Sequence, residues 1–196
     1  MKPVLFTLVV AVVVGLLAGG RLSGLSTMRF RLAPLALVGL ALQFLLPPGN
    51  WPYVLLMISF VLLIAFAVAN LKTTGFTLIL AGILMNFLVI AVNHGMPVPR
   101  WSLERSDQIE ELDYLIENGG AKHHLATEDD TLMFLADVIP LPSPIRQSVS
   151  VGDIVAYVGV GYVIVAGMRR RPDHAADAES APEHEVAVEA EASPGG

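Results

Sequence analysis

Side chains that could carry acid–base chemistry gather in one part of the chain, where His124, Asp137 and Asp153 follow one another. A histidine oriented by a carboxylate is suited to general acid–base catalysis, so His124 could be a base held by Asp137 or Asp153. His123 and nearby acids could suggest a metal, but adjacent histidines point in different directions and no H-x-x-x-H or H-E-x-x-H spacing is present. The sequence also has no cysteine, P-loop or nucleophile-elbow pattern. We therefore expect no metal and no cofactor.

Amide side chains lie within strongly apolar stretches. Asn86 is in the middle of one, with Gly82 four residues before it and Asn93 seven after it, so all three share one face of a helix. One interpretation is a hydrogen bond to a neighbouring helix, worth roughly 1 to 2 kcal/mol, with Gly82 allowing close approach. The other is that Asn86 and Gln43 line a polar cavity for a ligand.

Asp153 is the one acid inside an apolar stretch, and ionisable residues in such places are candidates for function. Ser150 precedes it by three residues, which is the spacing of a capping box. In that motif the carboxylate also meets the positive end of the helix. The pattern predicts a helix start at Ser150, and it leaves open a role for Asp153 in proton transfer or ligand binding.

The elements that must position these residues are membrane helices. Hydrophobic residues make up 54% of the 196, mean hydropathy is +0.64, and only six of the thirty charged residues lie outside 97–150 and 169–196. A hydrocarbon core of roughly 30 Å requires about twenty apolar residues as helix. We predict an all-α integral membrane protein with about five transmembrane helices, over 3–19, 32–46, 51–69, 75–92 and 151–168.

Basic residues near the predicted spans indicate the orientation, because Lys and Arg stay on the cytoplasmic side. Five spans place seven of them on one side: Arg21, Arg29, Arg31, Lys72, Arg169, Arg170 and Arg171. We therefore expect a plasma-membrane protein with its N-terminus outside and its C-terminus inside. The alternative is that the first span is a cleaved signal peptide, with Lys2 as its positive region. The net charge of −6 argues against a nucleic-acid partner.

Two polar segments flank the last span. The first, 97–150, is expected to be a partly helical extracytoplasmic loop, which we name the cap, lying on the outer leaflet with its apolar faces down. An amphipathic helix is predicted over 109–117, capped by Ser106 and stopped by glycines at 119–120, and a second short helix from Thr127 to Pro140. The acidic segment 169–196 is expected to be a disordered cytoplasmic tail, and 47–50 a tight hairpin.

Four motifs together resemble a bacterial membrane-protein family, domain of unknown function 5317. They are 82–86, the turn Asn93-His94-Gly95-Met96-Pro97, the stretch 122–141, and Ser150-Val151-Gly152-Asp153. The family motifs are an Asn in the penultimate long span, an N-G-G-x-M-P turn, a leucine-glycine-aspartate-isoleucine-isoleucine-proline stretch and an S-x-G-D helix start. The resemblance covers 75–167, with a turn one residue shorter and an alanine before Asp137. It implies a multi-span membrane protein and supplies no activity.

The motifs all fall near the outer ends of the fourth and fifth spans or in the cap, so they could meet at one place. We expect a binding or accessory membrane protein with a site there for membrane lipids, a small-molecule ligand or another membrane protein. The alternatives are an outer-leaflet enzyme acting on lipid or wall precursors, and a transporter component. The candidate binding residues are Asn86, Asn93, Met96, Pro97, His124, Asp137, Ser150 and Asp153.

Overall fold

The structure is a computed structural model that describes residues 2–44, 51–120 and 122–170. The predicted hairpin at 47–50 lies outside the described residues, as does all but the first two residues of the predicted tail at 169–196. Apolar sequence forms the long helices, whose bounds are α1 Lys2–Leu17, α3 Ala33–Phe44, α4 Trp51–Ala69, α5 Phe76–Asn93 and, after the cap, α8 Val151–Met168. A short helix, α2 Ser23–Ser26, lies between α1 and α3.

The long helices pack in a row, in the order α3, α4, α5, α8, α1. The tightest contact is between α5 and α8, where glycines face one another. A Cβ added at Gly82 would overlap the Gly152 carbonyl, and one at Gly159 would lie 2.7 Å from the Ile79 nitrogen. Small residues are what allow apolar helices to approach this closely. This contact brings Asn86 of α5 to the first turn of α8.

Two of the helices, α5 and α8, are long and apolar enough to cross a membrane. Over the residues whose side chains are described, α1, α3 and α4 give shorter apolar helices, Lys2–Leu17, Ala33–Gln43 and Tyr53–Ala69. Two such helices are weak evidence for a membrane protein, because core helices of soluble proteins meet the same criterion. The mostly helical architecture is therefore confirmed, while five membrane crossings stay a prediction.

The cap contains strands, so the all-α expectation was wrong. Its elements are β1 Met96–Val98, α6 Arg100–Arg105, α7 Ile109–Asn118, β2 His123–Leu125, a 3-10 turn Met133–Leu135, β3 Ile139–Leu141 and β4 Gln147–Val149. β1 and β2 pair in parallel with Met96 opposite His123, and β3 and β4 pair antiparallel. Strands of three residues are too short to show an alternating pattern, which is why they were not predicted.

The amphipathic helix of the cap is α7, and its apolar face is used inside the cap. Leu112 and Leu115 are buried against a small core that includes Leu103, while Ile109 and Ile116 are exposed. Contact of this helix with a leaflet stays a prediction.

Two local predictions in the cap were wrong. α7 begins after Gln108 without a side-chain cap, because the Ser106 hydroxyl, with its single proton, faces Gln108 Oε1 at 2.9 Å and the Leu103 carbonyl at 3.1 Å. The second helix is only the 3-10 turn, because Leu132 before it has a left-handed backbone, with φ 56°. The predicted stop of α7 is confirmed, since the helix ends at Asn118 and Gly119 has φ 62°.

Candidate functional site

A closed hydrogen-bonded triangle joins α5 to the start of α8. The Asn86 Nδ2 donates to Asp153 Oδ1 at 2.7 Å, and the Ser150 hydroxyl donates to Asn86 Oδ1 at 2.8 Å. Ser150 and Asp153 form the predicted capping box, in which the Asp153 N–H donates to Ser150 Oγ at 2.9 Å and the Ser150 N–H donates to Asp153 Oδ2 at 3.1 Å. One serine and one aspartate therefore start the helix and bind the neighbouring helix together.

The Asn86 side chain has room to reach Ser150 and Asp153 because residue 152 is a glycine. A Cβ at Gly152 would overlap the Asn86 side-chain amide. The chain thus places a glycine between the two α8 residues that hold Asn86. Both readings of Asn86 remain compatible with this geometry, since the amide links two helices and also forms part of a buried polar group.

Asp137 lies at the inner surface of the cap and is only 5% exposed. Its N–H donates to the Pro97 carbonyl at 3.2 Å, which fixes it beside β1. Its Oδ2 lies 3.5 Å from His123 Nε2, while its Oδ1 is buried with no hydrogen-bond partner among the described residues. Burial raises the pKa of Asp137 well above the ordinary value, the Asp153 charge adds to this, and Lys122 opposes it.

Two basic residues accompany the aspartates. The Lys122 Nζ lies 3.5 Å from Gln43 Oε1 of α3; burial lowers the Lys122 pKa, against the charges of Asp153 and Asp137. Burial, followed by the charges of Lys122 and His124, lowers the pKa of His123 to about 4. His123 is therefore a neutral imidazole at pH 7, and it stands beside an aspartate whose affinity for a proton is raised.

His124 is directed elsewhere. Its Nε2 lies 2.9 Å from Asp130 Oδ1, and Asp130 Oδ2 accepts hydrogen bonds from the Thr127 N–H at 2.7 Å and hydroxyl at 3.0 Å. Successive side chains of a strand point to opposite faces, so β2 presents His123 and His124 to different neighbours. The structure brings His123 to Asp137, which sequence reasoning missed because β2 was not predicted.

The remaining candidates connect the cap to α5. Asn93 Nδ2 donates to the Thr131 carbonyl at 2.9 Å, and Asn93 Oδ1 accepts the Thr131 N–H at 2.8 Å. Met96 is 4% exposed and packs in the core between α4, α5 and the cap. Pro97 contributes its carbonyl to Asp137, so these residues position the site. We name the following residues the polar site: Asn86, Lys122, His123, Asp137, Ser150 and Asp153.

A second buried group, missed from the sequence, adjoins the polar site. The Ser102 hydroxyl donates to Ser148 Oγ at 2.9 Å, and Gln108 Oε1 accepts the Ser148 N–H at 2.6 Å. A cavity of about 50 Å³ is lined by Gln108 and Ser148 of this group and by His123 and Asp137. The serines are 46 residues apart in the chain, and isolated serines carry no sequence signal for such pairing.

These features define a mostly helical protein with two helices able to cross a membrane and a small α/β cap over a buried polar site. The chain belongs to the family of unknown function DUF5317, whose model matches residues 26–165 and therefore includes the whole polar site but not α1. An uncharacterized protein of Thermotoga maritima is 36% identical over 125 residues, which cover 61% of this chain and 68% of that protein. No solved structure matches the chain.

Proposed function

We propose that this chain is a membrane-embedded binding protein whose ligand site is the polar site at the cap-side ends of α5 and α8. The observation that carries the proposal is Asp137, a 5% exposed carboxyl with one oxygen unpaired among the described residues. A buried polar atom without a partner costs about 1 to 3 kcal/mol. An unpaired buried oxygen beside a second carboxyl and a lysine is typical of sites that bind a ligand or transfer a proton.

The proposed setting is a cell membrane crossed five times, with the cap outside. Two contacts at the end opposite the cap support it. The Arg21 N–H donates to the Met168 carbonyl at 2.7 Å, and Asn70 exchanges hydrogen bonds with the Arg31 backbone at 2.8 Å. The ends of α1 and α8, and those of α3 and α4, therefore meet there, and the basic residues beside them gather at one end, as cytoplasmic loops require.

Topology is tested by a reporter fused after Arg171 and a small tag inserted between Gly119 and Gly120. The reporter is expected to be cytoplasmic, and the tag to react with an impermeant label on intact cells. If both sites report the same compartment, α8 does not cross and the proposed setting is wrong. If the two compartments are exchanged, the crossings hold but the polar site faces the cytoplasm.

Binding is tested by identifying the lipids and small molecules that co-purify with the protein in mild detergent. Asp137→Asn and Asp153→Asn keep the size of each side chain and replace its carboxyl by an amide, so each is expected to lose the ligand. The matched control is Asp129→Asn, an exposed acid of the cap. If all four proteins carry the same molecules, the polar site does not bind them and the proposal fails.

One observation favours a second candidate, an enzyme acting on lipid or wall precursors at the outer leaflet. Neutral His123 lies 3.5 Å from Asp137, and a neutral imidazole beside a carboxyl with raised pKa can exchange a proton with it. His123 would then take the role that the sequence suggested for His124. On a membrane-lipid extract, His123→Gln would abolish turnover while His124→Gln preserves it. Equal turnover in both variants would eliminate this candidate.

A further inference from the structure

A groove lies between α1 and α8 on the cap side of their contact. At the other end the helices touch: a Cβ added at Gly15 would overlap the Met168 side chain, and Arg21 bonds to the Met168 carbonyl. Towards the cap they separate and leave a space of about 540 Å³, within the size range of ligand sites. Two small residues that line it are Ala11, which is 5% exposed, and Gly161.

The groove is apolar along its length, and the cap covers one end. It follows α1 from Pro3 to Val14, a rise of about 16 Å at about 1.5 Å per residue. This is close to half of a hydrocarbon core of roughly 30 Å. Leu141 and Ile145 of the cap line it as well. The groove, defined by these residues, therefore has the length of one leaflet.

We propose that the groove holds one acyl chain of an anionic phospholipid from the cap-side leaflet. This inference rests on the membrane setting of the proposed function. A membrane helix of another protein fits less well, because it would have to continue past Val14 to the opposite surface, where the contact of Gly15 with Met168 closes the groove. It would also meet Leu141 and Ile145 at the cap. An acyl chain from the cap-side leaflet would occupy only the groove between the cap and the contact of Gly15 with Met168.

The charge at the cap end selects the headgroup. Lipid tails are as apolar as the groove walls, so the walls alone give little preference for one lipid over another. The exposed cation Lys2 is next to Pro3, which lines the groove. Arg146, next to Ile145, is already paired with Asp107, whose Oδ2 lies 2.6 Å from the Arg146 Nη2. A phosphate headgroup without a balancing ammonium therefore complements the charge of Lys2.

The groove also passes close to the polar site. Tyr157 lines it, and Asp153 lies four residues earlier in α8, one helical turn towards the cap. A lipid in the groove would therefore lie one turn from the Asn86–Ser150–Asp153 triangle. The groove is nevertheless a separate surface, because none of the residues that line it belongs to the polar site.

The experiment uses the full chain in phosphatidylcholine vesicles with a trace of lipid that carries a photoactivatable diazirine in its acyl chain. The tracer is phosphatidylglycerol in one sample and phosphatidylcholine in the other. After irradiation, mass spectrometry of peptides locates the attached lipid. The expected result is attachment at Val10, Val14 and Val158, with about fivefold more from phosphatidylglycerol, the effect of one cation near a charged headgroup.

Variants test the binding of the acyl chain and the preference for the headgroup separately. Gly161→Leu should fill the groove, since an added Cβ there has only Ala11 nearby, at 3.8 Å, and should lower labelling severalfold from both tracers. The control Ala65→Leu places the same side chain at an exposed position of α4 and should change nothing. Lys2→Gln should reduce the preference for phosphatidylglycerol and leave labelling from phosphatidylcholine unchanged.

Even labelling around all helices of the wild type, or labelling absent from the groove, would overturn the acyl-chain proposal without the need for any variant. An unchanged preference in Lys2→Gln would overturn the anionic headgroup. If the protein is not recovered with membranes at all, it is the membrane setting of the proposed function that fails. Loss of ligand in Asp137→Asn with normal groove labelling would support both proposals independently.

Discussion

Replacing Asn86 by alanine removes two hydrogen bonds between α5 and α8 and leaves their partners unpaired. The bond to Asp153, at 2.7 Å, involves a carboxylate, and the bond from the Ser150 hydroxyl, at 2.8 Å, is between neutral groups. Bonds to charged groups contribute about 1.5 to 3 kcal/mol and neutral ones about 0.5 to 1.5 kcal/mol. Between membrane helices measured values average nearer 0.6 kcal/mol, because the unfolded chain also finds partners in lipid.

We therefore expect Asn86→Ala to lower the free energy of unfolding by about 1 to 3 kcal/mol. The measurement is equilibrium unfolding in mixed micelles with increasing dodecyl sulfate. Thr77→Ala, an exposed position of the same helix, is the control and should change stability by less than about 0.5 kcal/mol.

A double-mutant cycle with Ser150→Ala tests the geometry itself. If the triangle exists, the two substitutions remove a shared interaction and their effects are non-additive, by about 0.5 to 3 kcal/mol. Additive effects, or a loss in Asn86→Ala no greater than in Thr77→Ala, would refute the reasoning.

Three further predictions concern the same region. Folding raises the pKa of Asp137 above its ordinary 3.8, so the stability that this carboxyl contributes is fully present below pH 3.8 and is lost as the pH rises through the folded-state pKa. Asp137→Asn should remove this loss. Parallel plots of unfolding free energy against pH for the two proteins would contradict this prediction. Gly152→Ala should cost about 1 to 3 kcal/mol because its Cβ overlaps the Asn86 amide, whereas Gly161→Ala should be tolerated; equal thermal stability of the two would be inconsistent with the packing. Ser148→Ala should destabilise the protein by about 1 to 3 kcal/mol, since it leaves two buried serine hydroxyls without that partner, and an unchanged unfolding midpoint would argue against the buried serine group.

Local signals predicted local structure well. The Ser150 to Asp153 spacing predicted a capping box, and the box is present because both of its bonds are made within one turn. The stop at Gly119 was predicted for the same reason. Composition alone also predicted a mostly helical chain, since long apolar stretches leave few other ways to satisfy the backbone.

Contacts between distant parts of the chain could not be predicted. Asn86 meets Asp153 across 67 residues, and a sequence shows only that an amide in an apolar helix needs some partner. The helix expected after Thr127 did not form, although Asp130 accepts the Thr127 N–H as in a capping box, because Asn93 takes the Thr131 N–H and Leu132 has a left-handed backbone. The bond from Thr131 to Asn93 spans 38 residues and competes with a local helical bond. His123 was overlooked in favour of His124 because β2, which directs His123 towards Asp137, was not predicted.

The attachment of the cap at both of its ends has a mechanical consequence. β1 follows α5 after two residues and β4 precedes α8 by one, while Asn93 binds the cap backbone from the last turn of α5. The cap therefore acts as a strut that fixes the spacing of α5 and α8. α1 has no such strut, since its principal packing partner is α8. In the proposed membrane setting, the groove would widen by tilting of α1 about its contact with Met168, and the proposed acyl chain would exchange sideways, from the plane of the membrane.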